Sequence, residues 1–166
     1  MADFEKDLHP YAYAAAYGKR VAYFSMEYAI VQHLKTYAGG MGFLAGSHMR
    51  SAWQLQQNMI GIGILWKYGY YDQVHKSDQT MGVLFLEKIY SFLQNTGIQF
   101  EIKVNQAPVQ VEVYYLAPQV FNTAPIFFLS TNLPENDYLA QSISHKLYES
   151  NIETKIAAAI LLGVGG

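Results

Sequence analysis

The stretch KTYAGGMGFLAGSH (residues 35–48) sets three glycines, Gly39, Gly40 and Gly42, directly ahead of a run with helical periodicity. Glycine loses more conformational freedom on folding than any other residue, so its concentration at a helix start answers some need for bare backbone. Two needs compete: a tight turn with no other purpose, and a loop whose N–H groups hold an anion. The flanking sequence fixes the setting. RVAYFSM (residues 20–26) is a short apolar run suited to a buried strand. From Met41 the residues Met41, Leu44, Ala45, Met49, Ala52 and Leu55 recur at three- and four-residue spacing, with Ser47, Arg50, Ser51, Gln54 and Gln57 on the other side. This predicts a helix that buries the apolar set. MIGIGILW (residues 59–66) then reads as a second buried strand. Strand, glycine loop, helix and strand in this order form a unit whose strands pair in parallel through a right-handed crossover.

The remaining segments add to that unit. KYGYYDQVH (residues 67–75) reads as an antiparallel partner strand bent at its glycine. IQFEIKV and VQVEVYYL alternate with period two around NQAP, which predicts a hairpin with one wet face. APIFFLS is a further buried strand, TNLPEND has loop composition, and residues 139–162 read as two helices broken near Ser150 and Asn151. The expected fold class is therefore α/β, a partly parallel Rossmann-like sheet with a glycine loop and an added β-hairpin. LLGVGG follows an apolar helix with no polar capping segment, so residues 1–166 are expected to be an incomplete domain with an uncovered apolar face.

Composition narrows the function classes. The 166 residues are 51% hydrophobic, enough for one good core. A net charge of −2 supplies no basic field for nucleic acid or an anionic membrane. The absence of cysteine excludes disulfides and thiolate metal sites and fits a reducing compartment. MADFEKDLHPY carries acidic residues and lacks the apolar core of a secretory leader, and no apolar run is long enough to span a bilayer. A cytoplasmic protein is the expectation. His9, His33, His75 and His145 show no mutual ligand spacing, so no metal is expected.

A glycine loop between strand and helix gathers the free N–H groups of the first helical turn at the positive end of the helix dipole, which makes an anion site. GGMG lacks the dinucleotide fingerprint, and no Lys-Ser or Lys-Thr pair follows it, so neither NAD nor Mg-ATP is indicated. His48 falls on the apolar side of the helix as read here, either as a hydrogen-bonded core histidine or as a proton donor. Glu27 reads either as a general acid or base, or as a carboxylate accepting hydrogen bonds from the loop.

VAYFSMEYAI, YAGGMGFLAGSHMRSA and IGIGILWKYGYYDQ, followed by IFFLSTNLPEND and HKLYESNIETKIAAAILLGVGG, resemble in this order the N-terminal part of the α-glucan (glycogen, starch and maltodextrin) phosphorylases. The resemblance implies a pyridoxal-phosphate glycosyltransferase of glycogen catabolism. Such an enzyme cleaves α-1,4-glucan with inorganic phosphate and releases glucose 1-phosphate. It implies that Gly39, Gly40, Met41 and Gly42 carry the backbone donors near the substrate and cofactor phosphates. It further implies that Glu27 braces the loop, and it makes His48 a family-matched supporting position. It places residues 1–166 in the N-terminal part of the first of two lobes, with the cofactor lysine and most sugar-contacting side chains in a second lobe outside this chain. The chain by itself is then expected to be inactive, and the intact protein is compatible with a homo-oligomer.

Several positions depart from the family pattern. Ala38 and Met41 stand in a loop usually written Ser-Gly-Gly-Leu-Gly, Ser47 replaces an Asp, and Lys155 and Ala158-Ala159 replace Arg and Gln-Glu. Two other readings stand beside this one: a fragment of a glycogen or starch synthase, against which KYGYYDQ argues, and a non-catalytic glucan- or phosphate-binding module.

Overall fold

The computed structural model describes residues 12–166; His9 and the N-terminal segment considered above lie outside them. Seven strands are described: β1 (Val21–Phe24), β2 (Met59–Ile64), β3 (Asp72–His75), β4 (Met81–Leu84), β5 (Gln94–Val104), β6 (Ala107–Leu116) and β7 (Ile126–Ser130). The helices are α1 (Gly40–Gln54), α2 (Pro118–Phe121), α3 (Tyr138–Ser142) and α4 (Ile152–Ile160), the last running into a π-turn at Leu161–Gly165.

The main sheet has the order β1-β2-β7-β6-β5. β1 pairs in parallel with β2, Val21 opposite Met59, and β2 pairs in parallel with β7, Gly61 opposite Ile126. β6 runs antiparallel to both β7 and β5. The expected parallel unit and the added hairpin are thus both present. The hairpin turns through Asn105 and Gln106, both left-handed at φ 49° and 66°, as a two-residue type I′ loop requires.

Alternation along the strands divides the core into two layers. One holds Ile30, Leu34, Ala45, Met49 and Ala52 against Met59, Ile126 and Phe128. The other holds Ile143, Leu147, Ala157, Leu161 and Leu162 against Ile62, Ile64, Val111 and Leu129. The sheet is therefore covered by α1 on one face and by α4 with its approach on the other. The glycines of MIGIGILW have a packing cause. Gly61 and Gly63 face the α1 layer, where a Cβ on Gly63 would lie 2.9 Å from the Tyr28 ring. Tyr28 fills the space they leave, its hydroxyl donating to the carbonyls of Tyr23 (2.6 Å) and Ile62 (3.2 Å).

Four expectations need correction. The buried stripe of α1 is Gly42, Ala45, Gly46, Met49 and Ala52, whereas Met41, Leu44, His48 and Leu55 are exposed. The helix buries its glycines because they let its backbone approach the segment 27–30, a contact that no hydrophobic pattern records. The tyrosines of KYGYYDQVH do not form a strand. Only Asp72–His75 does, and it pairs with Met81–Leu84 in a separate two-stranded sheet. The first of the two C-terminal helices is a stub of five residues, capped by Asp137. The second begins where expected, with Asn151 Oδ1 accepting from the N–H groups of Glu153 and Thr154. Its apolar content is divided: Ala157, Ala158, Leu161 and Leu162 are buried against the sheet, while Ile152, Ile156 and Val164 are exposed. Among the described residues no helix is long and apolar enough to cross a membrane.

Candidate functional site

The chain leaves β1 at its C-terminal end, and Glu27 comes three residues later, 1% exposed. Its placement follows from the backbone around it. Ser25 Oγ donates to the Glu27 carbonyl (2.7 Å) and accepts from its N–H (3.2 Å), while Trp66 Nε1 donates to the carbonyl of Met26 (2.9 Å). The side chain is thereby aimed at the loop ahead of α1. Oε2 accepts from the N–H groups of Ala38 (2.8 Å) and Gly39 (3.2 Å), and Oε1 accepts from the Tyr148 hydroxyl. A buried carboxylate with three donors is well satisfied, and charge-assisted bonds of this kind fix a loop strongly.

The loop is closed at its base as well. Tyr28 N–H donates to the Thr36 carbonyl (3.0 Å), Thr36 Oγ1 donates to the Tyr28 carbonyl (2.8 Å), and Ala29 N–H donates to the Gly42 carbonyl (2.9 Å). Within this frame the four loop positions differ. The Gly39 N–H goes to Glu27, and the Gly42 N–H goes to the Gly39 carbonyl (3.1 Å). Gly40 and Met41 open α1, are exposed, and have N–H groups for which helix geometry offers no intrahelical acceptor. The dipole of a 15-residue helix adds its positive end at that point. A Cβ at Gly39 or Gly40 would meet none of the described residues within 4 Å, so these leave the space in front of both glycines open.

The structure brings Glu27 to the glycine loop. It does not bring His48 there: that side chain is exposed, further along α1, with its ring 4.9 Å from the Tyr23 ring. Tyr148 escaped the sequence reading. It sits 121 residues from Glu27, with left-handed backbone (φ 61°), and its hydroxyl pKa is raised chiefly by the hydrogen bond to the Glu27 carboxylate. No local pattern links the two positions. Arg50, assigned above to the polar side of α1, also has a structural task, donating to the carbonyls of Phe121 and Ile30. Among the described residues no group of three His, Asp or Glu could hold a metal ion.

Comparison with known proteins gives the loop a context. No family model matches the chain. An uncharacterized protein of Methanocaldococcus jannaschii is 49% identical over 148 residues, 89% of this chain and 28% of that protein. A maltodextrin phosphorylase of Thermococcus litoralis is 32% identical over 154 residues, and a glycogen phosphorylase of Mycobacterium tuberculosis is 30% identical over 157 residues. Each of these two matches covers 88% of this chain and 18% of the phosphorylase. The chain thus spans less than a quarter of the length of the phosphorylases it matches, and the matched part contains the whole strand, glycine loop, helix and strand unit.

Proposed function

We propose that this chain, which is homologous to part of the glycogen and maltodextrin phosphorylases, is the N-terminal part of the first lobe of an α-1,4-glucan phosphorylase and supplies its phosphate-facing glycine loop. The reaction is glycosyl transfer: the α-1,4 bond at the glucan end breaks between C1 and the bridging oxygen, an oxygen of inorganic phosphate bonds to C1 to give glucose 1-phosphate, and the shortened glucan keeps the bridging oxygen and takes up the proton that phosphate gives up. The observation that carries the reading is the braced loop itself. Residues in the order of the family's blocks fold so that a buried glutamate orients the start of a helix whose exposed N–H groups belong to Gly40 and Met41. In this reading those two donors hold a phosphate oxygen, while Gly39 and Gly42 maintain the loop.

Pyridoxal phosphate is the implied cofactor, and its phosphate would supply acid–base chemistry when bound. The residues present fit a phosphate: the space before Gly39 and Gly40, together with the N–H groups of Gly40 and Met41, which have no acceptor among the described residues, admits an oxyanion. The attachment lysine is not among these 166 residues, and residues 1–166 alone are expected to show no pyridoxal absorbance band and to release no glucose 1-phosphate. The test is made on the product of the whole gene, assayed with maltodextrin and inorganic phosphate. Phosphate-dependent release of glucose 1-phosphate supports the reading; a whole-gene product that consumes glucan without phosphate, or not at all, overturns it.

A further inference from the structure

The smaller sheet ends in a free strand edge. β3 and β4 pair only with each other among the described residues, Asp72 opposite Leu84 and His75 opposite Met81. The turn between them decides which backbone groups that pairing uses. Lys76 N–H donates to the Thr80 carbonyl (2.9 Å), and Gln79, left-handed at φ 69°, donates its N–H to the Lys76 carbonyl (3.0 Å). Hydrogen-bonded pairs then recur at every second position, at Val74 with Gly82 and at Asp72 with Leu84. The N–H and carbonyl groups of Met81 and Val83 therefore point away from β3, and no described strand receives them.

Proteins guard such edges with charged side chains, proline or a bulge. β5, the free edge beyond β6, follows that rule: it carries exposed Glu101 and Lys103 and a register shift between Asn95 and Gln99. β4 does not. Residues 79–86, QTMGVLFL, hold no charge and no proline. Met81, Val83, Leu84, Phe85 and Leu86 are all exposed. A two-stranded ribbon is marginal by itself in water, and further strands on its edge stabilise it.

The edge is complementary to itself. In antiparallel pairing about a two-fold axis at Val83, Val83 exchanges both of its bonds with Val83 of a second copy, and Met81 of each copy faces Phe85 of the other. The charges agree with this pairing. The turn at one end carries Lys76 and Asp78, and the segment at the other end carries Glu87 and Lys88. Antiparallel pairing lays one end against the other, so both signs meet at each end and the uncharged middle meets itself without repulsion. We infer that β4 is a self-association edge that joins two copies of this chain through a four-stranded antiparallel sheet, β3-β4-β4-β3. The contact lies apart from the glycine loop and does not depend on the phosphorylase reading.

The test is sedimentation equilibrium of the full chain over a dilution series. The expected result is a reversible monomer–dimer equilibrium that Val83→Lys, which sets two ammonium groups at the axis, weakens roughly tenfold or more. Leu44→Lys, on the exposed side of α1, should leave it unchanged. Because the chain has no cysteine, Val83→Cys is a milder second probe: oxidation should give a disulfide-linked dimer, whereas Leu44→Cys should not. A chain that is monomeric at every concentration overturns the inference. So does a dimer that ignores Val83→Lys, or one abolished by Leu44→Lys, which would move the contact to α1. Open-ended association overturns it too, because a two-fold contact closes on itself. Should Val83→Lys fail to fold by circular dichroism, the two cysteine variants decide.

Discussion

Four glycines within eight residues behave as two pairs. Gly39 and Gly40 look into space that no described residue fills within 4 Å of the position a methyl group would take, and neither has a backbone angle reserved for glycine. Gly42 and Gly46 look into the protein, where a Cβ would come within 2.5 Å of the Tyr37 Cβ and 2.2 Å of the Ala29 carbonyl oxygen. The inner pair is explained by packing. Among the described residues nothing demands the outer pair, and their exposed backbone is what the proposed phosphate contact would use. On that proposal the glycine run has two answers, one for each pair, and substitutions separate them.

The largest effect is expected at Gly40 in the whole-gene product. Gly40→Val fills space that the described residues leave empty, so the melting temperature should hold. Phosphorolytic kcat/KM should fall by about two to four orders of magnitude, the equivalent of losing two charge-assisted hydrogen bonds. Loss of stability with specific activity retained would return the outer pair to a purely structural turn. Gly46→Ala should behave in the opposite way, forcing a Cβ against the Ala29 carbonyl at a cost of about 3 kcal/mol, read as a drop of roughly 6–12 °C in Tm. An unchanged Tm would break the division between the pairs.

Tyr148→Phe should have a smaller effect. It removes one of three donors to Glu27 and should cost about 1 kcal/mol, because water can reach the exposed side of the contact. Amide exchange at Ala38 and Gly39 should quicken; exchange left unchanged would show that Tyr148 does not hold the brace. The smallest effect concerns pH. Burial first, then Lys67 and Lys146, hold His145 below its ordinary value of 6.5, with Glu87 opposing. As pH falls through 6.5 the unfolded chain takes up this proton before the folded one does, so the contribution of His145 is present above that value and is lost on descent toward its folded pKa. Urea unfolding between about pH 7.5 and 5 should show a steeper loss for the parent than for His145→Asn; parallel curves would sink this assignment.

The parallel unit was legible because apolar strands, a helical period and a glycine loop appear in an order that permits few topologies. The resemblance to the phosphorylases was legible for the same blocks, and it holds over 88% of the chain. The face of α1 was misread because Gly42 and Gly46 count as neutral in any hydrophobic pattern, although they make its closest contact. β4 was missed because it is four residues long and carries no strong alternation, and β3 was anticipated only as the end of a longer strand through the tyrosines. For Glu27 the residues left two readings open, and the structure shows the one in which it accepts from the loop. Its partner Tyr148 comes from 121 residues further along the chain, where spacing holds no information.

The contact between Glu27 and Tyr148 has a consequence for the order of events during synthesis. A carboxylate made early is completed by a hydroxyl made 121 residues later. At a ribosomal pace of ~5–20 residues per second, roughly 6–24 s pass between the two. Through that interval the nascent chain can close β1 onto the start of α1 while Oε1 still faces water. The last bond of the brace forms only after the segment before α4 has left the exit tunnel, so the loop reaches its final rigidity well after its own residues have been made.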